Sequence, residues 1–111
     1  MPFVKYQTLT PAPVSAGGSA EVEWTSDGDY TIKRIYFVEK TGAPIRQVEV
    51  TIRLETTSFT DDFVPAIFFE PGMRHLIELD LKISRAQKIV FGIKNNEAAS
   101  RSFYIVLELW S

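Results

Sequence analysis

The sequence predicts an all-β domain: an antiparallel β-sandwich of about 7–8 strands with jelly-roll or Greek-key connections. Three observations carry that expectation. Apolar and polar residues alternate with period 2 in segment after segment, and no helical period persists. Turn-forming residues break the alternation every ~8 to 12 residues. The 111 residues suffice for one core, so a single domain spans 1–111.

In chain order, an amino-terminal arm and irregular connection over 1–18 holds a strand candidate at Phe3–Thr8, then Pro11-Ala12-Pro13 and Gly17-Gly18. Next come Ala20–Thr25, the turn Ser26-Asp27-Gly28-Asp29, and Thr31–Glu39, closed by Thr41-Gly42-Ala43-Pro44. Val48–Glu55 alternates cleanly, with Val48, Val50, Ile52 and Leu54 toward a core and Glu49, Thr51, Arg53 and Glu55 toward water. A long crossover over 56–74 is the least regular stretch, interrupted by Pro65 and Pro71-Gly72 yet rich in phenylalanine. A connection this apolar is expected to cross between sheets, cover the open end of the sandwich or dock on a neighbouring chain. A single helical turn fits within it at Ala66–Phe69. His75–Ile83 returns to alternation, with Ile77, Leu79, Leu81 and Ile83 inward, and Lys88–Lys94 and Ser102–Trp110 complete the set.

Composition excludes several functions. Without cysteine there is no disulfide, thiolate zinc site, iron–sulfur cluster or cysteine nucleophile. Twelve Lys+Arg against 14 Asp+Glu, a net charge of -2, argue against nucleic-acid binding by counterion release. Lys33, Arg34, Arg85, Lys88, Lys94 and Arg101 could collect on one side with Tyr36, Phe91 and Tyr104 interleaved, as in an oligonucleotide-binding barrel, but the net charge and the scattered acids weigh against it. No run approaches the ~20 apolar residues of a membrane-spanning helix, and Met1-Pro2-Phe3-Val4-Lys5 does not have the form of an export signal.

Catalytic signatures are also missing. His75 is the single histidine, and no Gly-x-Ser-x-Gly elbow accompanies it. Asp61-Asp62, Glu70, Glu78 and Asp80 gather near the crossover, but Glu78 and Asp80 share an outward face and read as solvated charge. Asp27-Gly28-Asp29 offers two acids where a calcium loop recruits more. No enzyme activity, cofactor or metal is expected.

What remains is a surplus of apolar side chains. In Ser102–Trp110, Phe103, Ile105, Leu107 and Leu109 form an inward set, yet Tyr104, Val106 and Trp110 oppose them. Tyr36 and Val38 oppose Ile35 and Phe37, and Val90 opposes Ile89 and Phe91. Sheets with one wet face do not read this way. Tyr36, Val38, Val90, Tyr104, Val106 and Trp110, with Phe68 and Phe69 from the crossover, are therefore expected to form an interface. A competing expectation has the amino-terminal arm fold over this face and cover it.

The apolar arm, the Gly/Ser turn into Ser19–Thr25, strands Ile32–Glu39 and Val48–Glu55, the Asp62-Phe63-Val64-Pro65-Ala66 crossover and the closing Phe103–Trp110 strand resemble the small all-β structural proteins of viral particles. Single jelly-roll capsid subunits and phage head-decoration proteins belong to that class. The resemblance implies a homo-oligomer, or contact with other structural proteins of a virion, and no catalysis. The alternative expectation is a carbohydrate- or ligand-binding sandwich, with Trp24, Tyr30, Tyr36 or Trp110 stacking on a sugar ring.

Overall fold

The computed structural model describes residues 4–43, 45–55, 57–60, 62–70 and 78–111. Among them lie nine strands: β1 (Val4–Leu9), β2 (Ser19–Thr25), β3 (Tyr30–Glu39), β4 (Val48–Leu54), β5 (Thr57–Ser58), β6 (Val64–Pro65), β7 (Leu81–Ile83), β8 (Lys88–Asn95) and β9 (Phe103–Trp110). A four-stranded sheet runs in the order β1-β9-β3-β7, and a five-stranded sheet has β2-β8-β4-β5 with β6 also paired to β4. All pairs are antiparallel.

The pairs are nested. Val4↔Trp110 encloses Ser19↔Lys94, which encloses Tyr30↔Ile83, then Glu49↔Pro65 and Arg53↔Ser58. The chain is thus one long ribbon folded back on itself near Glu55 and rolled so that β9 meets β3 and β8 meets β4. With β5 and β6 sharing one strand position, this is jelly-roll topology.

Alternation dictates the core. Val48, Val50, Ile52, Ile89, Phe91 and Ile93 of one sheet face Ile32, Ile35, Phe37, Phe103, Ile105, Leu107 and Leu109 of the other, all buried in one cluster. Phe37 and Phe103 stack with centroids 4.9 Å apart. The mixed pattern of β3 has a specific cause: the register shifts between Ile32 and Arg34, leaving Lys33 as an extra residue. This bulge lets Ile32 and Ile35 both face inward although their spacing is odd.

Asn95, fully buried at the end of β8, donates from Nδ2 to the carbonyls of Val14 and Ala99 at 2.9 Å each, while its Oδ1 accepts the Glu97 N–H. It thereby ties the last loop to the Val14↔Arg101 bridge. Gly17 and Gly42 turn the chain at φ 71° and 79°, where a side chain would be strained.

Three expectations need correction. The strand expected at Phe3–Thr8 within the arm is β1, but it lies beside β9 in the same sheet rather than over its face. Of the strand expected at His75–Ile83, residues 75–77 lie outside those described, and of the remainder Leu81–Ile83 is strand; beyond Ile32 the ladder pairing with β3 stops, and the Leu79 N–H reaches Lys33 O at 2.7 Å. His75 lies outside the described residues, as do Asp61 and the rest of 71–77. The crossover joins the two sheets through a 3₁₀ turn at Ala66–Phe69 that packs on both β3 and β4. Ala66 and Phe69 enter the core, so Phe69 is a core residue and not a contact for other chains.

Candidate interaction surface

The outer face of the four-stranded sheet follows from register. Val4, Trp110 and Thr31 lie in one row, Tyr6, Glu108 and Arg34 in the next, then Thr8, Val106 and Tyr36, and finally Tyr104 and Val38. Of the expected contact residues, Tyr36, Val38, Tyr104, Val106 and Trp110 therefore share this face. Trp110 and Tyr104 are each 40% exposed, and β1 adds Val4 at 46% and Tyr6 at 61%. β1 extends the patch that the arm was expected to hide.

At its centre sits a buried carboxylate. Glu108 has a side chain only 5% exposed, although strand parity points it away from the core. Three donors account for this. Arg34 Nη1 and Trp110 Nε1 reach Oε2 at 2.8 and 2.9 Å, and the Tyr36 hydroxyl reaches Oε1 at 3.1 Å. Arg34 also approaches Glu78 at 3.8 Å. Burial first, then the hydrogen bond to Glu108 and its charge, push the Tyr36 hydroxyl above the usual tyrosine range.

The aromatic rings are held from both directions. Trp110 is tied to Glu108 through its indole N–H, and Lys33 Nζ lies 5.5 Å from its ring centroid while pairing with Asp80. Lys40 Nζ lies 4.8 Å from the Tyr104 ring. Rings fixed before contact lose little freedom when a partner covers them.

Val90 does not join this surface. It lies on the five-stranded sheet, opposite Glu23 and Arg53, and its neighbours there shield it to 7% exposure. That sheet's outer face is charged: Glu49 pairs across from Lys94, and Lys88 approaches Glu23 at 3.7 Å. Gly92 leaves a depression beside Thr51, Glu21 and Phe63. The side chain of Phe68 lies outside what the structure describes.

The residues expected to stack on a sugar are dispersed. Trp24 and Tyr30 pack against the core, 6.4 Å apart, whereas Tyr36 and Trp110 turn their polar atoms to Glu108. The Asp27-Gly28-Asp29 turn is engaged within the protein. Asp27 accepts from Lys5 and Tyr30 at 2.7 Å, which hold its carboxyl below the usual range, and Asp29 accepts the Arg85 N–H. Among the described residues no group of three or more His, Cys, Asp or Glu could hold a metal. No helix among them is long and apolar enough to cross a membrane.

Sequence reasoning missed Val4, Tyr6 and the Glu108–Arg34 pair. One signal for the pair was present: Glu108 is the lone charge in Phe103–Trp110, and an isolated acid in an apolar strand implies a partner. No protein-family model matches the chain, and no curated protein is significantly similar to it.

Proposed function

We propose that this chain is a non-enzymatic structural subunit that assembles into a particle through the outer face of its four-stranded sheet. The supporting observation is the contiguous surface of Val4, Tyr6, Tyr36, Val38, Tyr104, Val106 and Trp110, with its only central acid already neutralised by Arg34. Exposed apolar patches rimmed by polar residues mark association sites, and aromatic residues supply most of the affinity in such contacts. The viral setting, as a capsid or head-decoration subunit, rests on analogy of fold, because jelly rolls serve capsids and lectins alike.

Light scattering at micromolar concentration tests the reading. A defined oligomer that Val106→Lys dissociates, with the circular-dichroism spectrum unchanged, is the expected result. A strict monomer would overturn it.

A further inference from the structure

We propose that the depression over Gly92, on the outer face of the five-stranded sheet, is a binding site for a neutral hydroxylated ring, the chemistry of a pyranose unit of a glycan. Assembly through the other sheet leaves this face open, and the two proposals stand or fall separately.

Register builds the site. Glu21, Gly92 and Thr51 form one row across β2, β8 and β4, and Phe63, just before β6, stands at the end of it. The middle position has no side chain, so the row dips there into a cavity of about 360 Å³, within the roughly 300–1,000 Å³ of small-ligand sites. Glycine inside a strand gives up packing and often marks a place where another molecule approaches the backbone. Thr51 Oγ1 leans over it, 2.5 Å from where a Cβ would stand.

Two features single out this row from its neighbours. Its polar groups are unengaged: among the described residues neither the Glu21 carboxylate nor the Thr51 hydroxyl has a partner. The other acids of β2 and β4 do, Glu23 facing Lys88 at 3.7 Å and Glu49 accepting from Asn96 Nδ2 at 2.8 Å. Its far wall is an aromatic ring, Phe63, which is 38% exposed.

Those groups select the ligand by exclusion. An anion meets the Glu21 carboxylate, and a cation meets Lys94, whose Nζ already lies 5.9 Å from the Phe63 ring centroid. A wholly apolar molecule would strand the carboxylate and the hydroxyl away from water. A sugar ring suits all of them: its C–H face packs on Phe63, while adjacent hydroxyls donate to the two oxygens of Glu21 and share a hydrogen bond with Thr51.

Amide NMR titration of the full chain with methyl glycosides of glucose, galactose, mannose and N-acetylglucosamine tests the site. At least one glycoside is expected to bind at millimolar concentration and to shift the Glu21, Thr51 and Gly92 amides. Phe63→Ala and Glu21→Gln, both at exposed positions, are each expected to weaken that binding about tenfold. Tyr104→Ala removes a similarly exposed ring from the opposite face and should leave binding unchanged. No shift with any glycoside, shifts unaltered by both variants, or tighter binding of glucuronate or free lysine would overturn the proposal. None of these outcomes touches the light-scattering test of assembly.

Discussion

On the five-stranded sheet, the outward side chains are mostly charged, the shielded Val90 apart: Glu21, Glu23, Glu49 and Arg53 line strands whose other faces are Val22, Val48, Val50 and Ile52. On the four-stranded sheet the same parity carries Tyr6, Tyr36, Val38, Tyr104, Val106 and Trp110. Both sheets contribute to one core, so folding alone gives no reason for their outer faces to differ. Core formation constrains one face of each strand, and what appears on the other reports on solubility or on use. By that reasoning the charged face is a solvated surface, and its salt bridges, such as Lys88–Glu23, add little stability. The aromatic face is the one on which the proposed contact rests.

The sharpest way to break the contrast is to remove one acid from each face: Glu108 from the middle of one, Glu23 from the edge strand of the other. Glu108→Ala leaves Arg34 without its buried partner and frees the Tyr36 and Trp110 donors; urea denaturation is expected to show a loss of about 2–4 kcal/mol. Glu23→Ala on the other face is expected to stay within about 0.5 kcal/mol. Equal losses would show that Glu108 is no more embedded than a surface acid.

Gly92 gives a smaller effect from the charged face. A Cβ placed there would lie 2.5 Å from Thr51 Oγ1, so Gly92→Ala is expected to destabilise by about 1–2 kcal/mol. Thr51→Ala in the same chain should recover most of that loss, and non-recovery would place the strain elsewhere.

The smallest signal is at alkaline pH. Because the folded state favours the neutral Tyr36 hydroxyl, its contribution is whole below the unfolded tyrosine pKa of ~10 and is lost as pH rises through the higher folded value. Absorbance titration should show a late tyrosine ionisation that Tyr36→Phe abolishes.

The inward residues of β4, β8 and β9 were legible because strict alternation leaves one arrangement for Val48, Val50 and Ile52 or for Ile105, Leu107 and Leu109. Sheet membership was not, and that is why Val90 was grouped with Tyr36: parity says which side of a strand a residue takes, never which strand lies beside it. Glu108 shows the same gap. Its partners Arg34 and Tyr36 are more than 70 positions away in sequence, and only the β3–β9 register brings them within reach. Phe69 was misplaced because a crossover lacks periodicity, so an apolar side chain there can plug the core or project outward with equal sequence support.

The nested ribbon also sets an order of events in time. Once β4 has met β5 and β6 around Glu55, the loop that β3 and β7 must close is short, and each closed pair shortens the next. Pairing β1 with β9 first would require closing nearly the whole chain, the slow route in non-local β topologies. Pulsed hydrogen exchange during refolding should accordingly protect β4 and β8 amides before those of β1 and β9, and simultaneous protection would contradict zipping from the bend. The outermost pair carries Val4, Tyr6, Tyr104, Val106 and Trp110. If β1 and β9 pair last, the row of Val4, Tyr6, Tyr104, Val106 and Trp110 is complete only once the whole chain has folded.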